Sequence, residues 1–158
     1  MPDERPHIVD PDVDLHDPAQ RAELRRHELR VLAAVAIGGV AGSEARYGLS
    51  LAMPHAAASF PWSTLLINAV GCTLIGVLQV VLLEVLPHPH PLARPLLGVG
   101  VLGGFTTFST FAVDADRLVH LHRPWTALAY VAASLAACLL GVTAAALATR
   151  SALVREPA

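Results

Sequence analysis

Lysine is absent: all eleven basic residues of the 158-residue chain are arginine, so every argument from positive charge rests on arginine. Cysteine is scarce. The two that occur, Cys72 and Cys138, fall inside apolar stretches, which excludes a disulfide framework and any CxxC redox or metal motif and leaves them as small packing residues. Charged residues make up only 15% of the chain against 54% apolar ones, a balance that soluble domains of this length seldom show, and the chain reads as a membrane protein. No basic patch interleaved with aromatics occurs, so nucleic acid is not an expected partner. There is no GxSxG or HExxH motif, no phosphate-cradling loop and no pair of catalytic carboxylates, and no enzyme is expected.

What is there begins with an acidic stretch, Met1 to Asp17, punctuated by Pro2, Pro6 and Pro11. It lacks the cationic start and apolar core of a signal peptide and is expected to be a disordered cytoplasmic tail. Asp17 and Pro18 suit an N-cap and first helical position, with Gln20 at the capping-box place. The helix they start carries Arg21, Arg25, Arg26 and Arg30 to the headgroups. Four spanning segments follow within residues 18–158, at about 31–53, 62–86, 92–121 and 124–149, each near the roughly 20 residues that cross the hydrocarbon core. Their short links predict antiparallel neighbours in a compact all-α membrane domain of four helices. Trp62 and Trp125 stand at segment starts, where interfacial tryptophan belongs. Glycines at 38, 39, 42, 71, 76 and 141, with many alanines, favour close helix contact in lipid.

The most informative stretch runs from Gly98 to Phe111, Gly-Val-Gly-Val-Leu-Gly-Gly-Phe-Thr-Thr-Phe-Ser-Thr-Phe. Gly103-Gly104 is expected to break the third helix near the midplane, and the hydroxyls of Thr106, Thr107, Ser109 and Thr110 to take up the freed backbone groups. Such a break marks an ion or substrate site. Phe105, Phe108 and Phe111 recur every three residues and are expected to share a face. At about 1.5 Å of rise per residue, Arg46, Asn68, Tyr130 and the Phe108/Phe111 face fall in one half of the bilayer. Ser134 lies near the midplane and Cys138 beyond it. Each has a plainer reading: a lone Asn as interhelical glue, a Phe stripe as core, Arg46 snorkelling or paired with Glu44. The His88/His90 and His120/His122 pairs read as surface histidine.

Gly39-Val-Ala-Gly-Ser-Glu-Ala-Arg46-Tyr47, Thr64-Leu-Leu-Ile-Asn68-Ala-Val-Gly71 and Gly103-Gly-Phe-Thr-Thr-Phe-Ser-Thr-Phe111 resemble the Fluc (CrcB) family of fluoride channels, over roughly 34–148. The resemblance implies a four-helix subunit that pairs with an inverted copy, giving an antiparallel dimer with two narrow fluoride pores in the cell membrane. These pores passively drain fluoride trapped in the cytoplasm and so confer fluoride resistance. By the same resemblance the pore asparagine is Asn68 and the pore phenylalanines are Phe108 and Phe111, with Thr107 and Thr110 beside them. The vestibule arginine is Arg46, and the tyrosine and serine of the fourth helix are Tyr130 and Ser134. The backbone carbonyls of Gly103 and Thr106 would hold a structural Na⁺ at the dimer centre. Cys138 departs from the pattern, standing where a hydroxyl is expected.

A rival reading is a small four-helix proton-coupled drug exporter using Glu44. A third is a non-transporting membrane assembly subunit. Arginine placement adds an expectation of its own. With four spans the termini share a side, which holds Arg5, Arg21, Arg25, Arg26, Arg30, Arg94, Arg150 and Arg155, against Arg117 and Arg123 opposite. That bias predicts termini mainly in the cytoplasm, and an inverted partner that is a related chain rather than a copy.

Overall fold

The structure is a computed structural model and describes residues 18–56 and 58–154, the side chains of 18–25 and 27 aside. The expected acidic tail therefore lies outside the described residues. Five helices make up the described residues in order. The first, α1, spans Pro18–Ala52. Next, α2 covers Trp62–Val80 and widens into a π-helical turn at Val81–Val85. Helix α3 runs Arg94–Leu102 in π-helical form and continues as Gly103–Phe105. Helices α4 and α5 span Phe108–His120 and Pro124–Leu153. Proline opens α1 and α5, where its missing N–H costs nothing, and Pro87, Pro89 and Pro91 keep the link between α2 and α3 out of helix.

Among the described residues, three stretches are long and apolar enough to cross a membrane, Trp62–Val85, Arg94–His120 and Pro124–Leu153. They match the second, third and fourth expected segments to within a few residues. The first expected segment is instead the C-terminal part of one long helix, α1, which is continuous with the arginine-bearing N-terminal turns. Four glycines with Glu44 and Arg46 keep its hydropathy modest.

Packing departs from the expected antiparallel neighbours. The most extensive contacts join α1 to α3 and α2 to α5, pairs that run parallel because each skips one segment. On the first seam Gly38 lies against Gly100, Gly42 against the Val101 carbonyl, and Gly104 against Gly39, whose carbonyl oxygen would be 2.5 Å from a Cβ at position 104. On the second, a Cβ at Gly76 would sit 2.5 Å from the Val142 carbonyl oxygen. Glycine is needed at these places because backbone meets backbone, an approach that supplies dispersion contact where lipid offers no hydrophobic drive. An offset of 66 positions relates contacting residues of the two helices at Gly76 and Val142 and again at the Glu84–Arg150 ion pair in the π-helical turn. Helix α4 completes the bundle against α5, burying Leu118 against Leu65, Ala127 and Tyr130. Large apolar side chains such as Leu32, Ile37, Leu83, Leu139 and Leu140 remain on the outside, as a bilayer requires.

Candidate functional site

The third span is broken, but not at its glycines. Gly103 is α-helical (φ −65°, ψ −36°), and the chain leaves the helix at Thr106 (φ −75°, ψ 159°) and Thr107 (φ −148°, ψ 123°). Gly103-Gly104 serves packing and exposure instead: Gly104 presses on Gly39, while Gly103 faces outward with open space beside it. The threonines bear the break because β-branched residues accept extended backbone readily and their hydroxyls bond locally.

The freed N–H groups at the break find defined partners. Thr107 N–H, which an unbroken helix would give to the Gly103 carbonyl, donates to Asn68 Oδ1 at 2.9 Å, and Asn68 Nδ2 donates back to the Thr107 carbonyl at 2.9 Å. Thr107 then caps α4, its Oγ1 accepting from Thr110 N–H at 3.1 Å. Thr107 Oγ1 also bonds Thr110 Oγ1 at 3.0 Å and lies 3.3 Å from Ser109 Oγ. Thr106 Oγ1 turns back to the Leu102 carbonyl, and Arg46 Nε donates to the Gly104 carbonyl at 3.1 Å. Arg46 is thus neither a simple snorkelling residue nor spent on Glu44. Reciprocal amide bonds of this kind are worth about 1 kcal/mol each net, and leaving either group unmet in a buried site costs more.

Two cavities meet at this junction. One, of about 250 Å³, is walled by Asn68, Thr107, Phe108, Phe111, Ser134 and Cys138, with Cys72, Ile75, Thr106 and Leu135. The other, of about 330 Å³, is walled by Ser43, Glu44, Arg46, Tyr47, Ser50, Thr64, Ile67, Thr107 and Thr110. The expected pore residues therefore divide between two chambers, with Thr107 common to both and Tyr130 lining neither. Phe108 and Phe111 stack at 5.7 Å between ring centroids, and Phe111 continues to Tyr130 at 5.3 Å and Tyr130 to Phe60 at 5.6 Å. Phe105 does not share this face. It lies before the break and packs near Gly71, because the extended pair resets the helical phase.

The donors in this region are of two kinds. Tyr130 is fully buried, and its hydroxyl and that of Ser134 have no hydrogen-bond partner. Such groups are costly in a protein interior unless a ligand or water meets them. Sequence reasoning missed the neighbouring pair Thr64 and Asp114: Thr64 Oγ1 donates to Asp114 Oδ2 at 2.7 Å, both residues being buried. The available signal was spacing, since Asp114 follows Phe111 by three and precedes Leu118 by four, on the buried stripe of α4. Among the described residues no cluster of three or more His, Cys, Asp or Glu side chains forms a metal site, and His88, His90, His120 and His122 are exposed.

The carbonyls assigned to Na⁺ by resemblance meet a test here. The backbone donors that would bind Gly103 O and Thr106 O in a continuous helix, Thr107 N–H and Thr110 N–H, are committed to Asn68 Oδ1 and Thr107 Oγ1. Both carbonyls are released from helical pairing, and carbonyl oxygens are suitable ligands for a hard cation.

Residues 33–146 match the family model for the CrcB-like protein, Camphor Resistance (CrcB). The chain is similar to a fluoride-specific ion channel, FluC 2, of Thermobifida fusca, with 54% identity over 125 residues, 79% of this chain and 92% of the relative. A fluoride-specific ion channel, FluC 1, of Streptomyces coelicolor is 52% identical over 128 residues, 81% of this chain and 82% of the relative. FluC 2 of Streptomyces avermitilis is 48% identical over 128 residues, 81% of this chain and 80% of the relative.

Proposed function

Since the chain belongs to the CrcB-like family, we propose that it is a fluoride-selective channel subunit through which cytoplasmic fluoride leaves the cell passively. The observation that carries this reading is the junction itself: a helix break latched by a side-chain amide, beside a chamber edged by phenyl rings and next to buried, unpartnered hydroxyls. Fluoride is small and strongly hydrated, so its water must be replaced by donors. Tyr130 O–H and Ser134 O–H are free to donate, and Asn68 keeps one of its two amide hydrogens after serving Thr107. Phe108 and Phe111 offer positive ring edges. Arg46 lines the second chamber, the one shared with Glu44 and Tyr47, where a fixed positive charge attracts anions beside the uncharged donors. Thr107 and Thr110 join the two chambers.

The working unit is an inverted dimer. Phe108 is 80% exposed in the single chain, so one wall of its chamber is left for a second subunit to supply. Gly103 also presents open space outward, and its carbonyl with that of Thr106 would hold Na⁺ where two such faces meet, cancelling the dipoles released by the break. All four segments span, the first at residues 31–53 through the C-terminal part of α1, in the cell membrane with the termini mainly cytoplasmic. The arginine bias makes a related chain of opposite bias the inverted partner.

Glu44 lines the second chamber but is exposed, which gives the proton-coupled exporter no buried carrier. Reconstitution into liposomes with a fluoride electrode tests the proposal. Fluoride efflux without chloride efflux, independent of a pH gradient, is expected. Transport that requires the proton gradient and fails in Glu44→Gln overturns it. Topology reporters fused at Ala158 test orientation, and comparable cytoplasmic and periplasmic signals would remove the paired-subunit reading.

A further inference from the structure

The cavity wall holds one feature that an anion path does not call for. Cys72 on α2 and Cys138 on α5 stand at the same 66-residue offset that joins Glu84 to Arg150, and both line the chamber of Asn68 and Phe108. Cys72 stands one turn before Gly76 and Cys138 one turn before Val142, whose carbonyl Gly76 meets, so the two occupy facing positions of adjoining helices, and both are free cysteines. Close approach of the two helices holds them there, for Gly76 meets the Val142 carbonyl and Gly141 meets Thr73 one turn away. Neither thiol is fully buried, and their surroundings are Ile75, Leu135 and Ser134.

We propose that Cys72 and Cys138 form a two-thiol site for a soft, two-coordinate cation, with mercuric ion as its simplest occupant. Thiolate sulfur selects soft metals over hard ones. Among the described residues no third His, Cys, Asp or Glu joins the pair, so tetrahedral zinc is not served and a linear ion is. Two S–Hg bonds form as two S–H protons leave to solvent. No electron moves. The divalent ion and two thiolates are together neutral, which suits an apolar wall; a hard cation would keep its water.

The site lies one helical turn from Asn68 along α2 and one turn from Ser134 along α5. A metal there plugs the chamber below its donors. That consequence rests on the conduction reading above, whereas the binding does not.

The experiment uses the purified, reconstituted full chain, mercuric nitrate in chloride-free buffer, and three readouts. Ellman titration is expected to show two thiols lost per mercuric ion. Glutathione should remove that ion only at concentrations roughly ten-fold or more above those that clear it from Cys72→Ser or Cys138→Ser, because the second thiolate acts at high effective concentration. Fluoride efflux, scaled to each protein's own metal-free rate, should fall at one ion per chain in the parent and recover with excess dithiol. Two ions bound per chain, or equal glutathione sensitivity in the parent and the serine variants, would overturn the two-thiol site. Bound metal with undiminished efflux overturns the plug. Absence of metal-free efflux with the chelate intact counts against the conduction reading alone.

Discussion

The two parallel seams of the bundle are built on different principles. Between α1 and α3 the contact is backbone on backbone, glycine after glycine, and its one long polar reach is Arg46 to the Gly104 carbonyl. Between α2 and α5 glycine contact is limited to Gly76 on the Val142 carbonyl and Gly141 on Thr73 and Ala69, and polar and sulfur side chains face the chamber from both helices: Asn68, Cys72, Ser134 and Cys138. The first seam holds the helix that leads into the break; the second supplies the Asn68 latch on Thr107 and the groups that lie beside it. A substitution on the first should therefore cost folding, and one on the second should cost transport while the fold persists.

The largest effect is expected at Gly104→Val, whose branched side chain would drive into Gly39. We expect a loss of about 3 kcal/mol or more, read as loss of folded protein by thermal melting in detergent. Gly103→Ala, by contrast, has open space and helical backbone, and should melt like the parent. If the two behave alike, the glycine pair acts through backbone freedom rather than packing.

On the other seam, Asn68→Asp should abolish fluoride efflux. A carboxylate accepts from Thr107 N–H but sets an acceptor against the Thr107 carbonyl, and the free donor is lost. Phe111→Ile should do the same by removing the ring edge and the contact with Tyr130. Both proteins should still elute as folded dimers. Full efflux from either variant would move the path away from this chamber.

A smaller effect is expected from Tyr130→Phe and Ser134→Ala, each of which removes one unpartnered hydroxyl. Stability should hold or rise, since an unsatisfied buried group is deleted, while efflux falls by about ten-fold if the lost donor is worth about 1.4 kcal/mol in the rate-limiting step. Unchanged efflux with raised stability would make these hydroxyls idle. The smallest effect is expected at Glu84→Gln: its pair with Arg150 is solvent-exposed, and such pairs contribute little. Its melting temperature should stay within error of the parent.

Much of this was legible in the sequence. Segment ends were marked by Pro61, Trp62, Pro124 and the proline run 87–91, and the second, third and fourth expected segments coincide with stretches long and apolar enough to cross a membrane, while the first lies within the longer α1. Rise alone placed Arg46, Asn68, Tyr130 and the Phe108/Phe111 face in one half of the bilayer with Ser134 near the midplane; of these, Asn68, Phe108, Phe111 and Ser134 line one cavity, Arg46 lines the other, and Tyr130 lines neither. What could not be read was where the chain would leave the helix. Glycine permits a break but does not compel one, and close packing holds Gly104 helical. The winning term was the Asn68 amide, which meets Thr107 from a residue 39 positions away. Parallel seams were hidden for a similar reason, because loop length fixes the direction of neighbours but not who packs against whom. Asp114 was masked by an adjacent exposed Asp116, and only the phase of α4 separates them.

The extended pair Thr106-Thr107 also works as a rotary offset. Two helical residues would turn the chain by about 200°, whereas two extended ones turn it through nearly a full circle, a difference of roughly 160°. They also carry it roughly 3.6 Å further along its axis. Asn68 plays the part of a neighbouring strand, a one-rung ladder that keeps the pair from winding back up. Were those two residues to wind, Phe108 and Phe111 would swing to the far side of α4 and leave Ser134 and Cys138 facing lipid. The aim of the phenyl rings is thus set by a single side chain on a different helix.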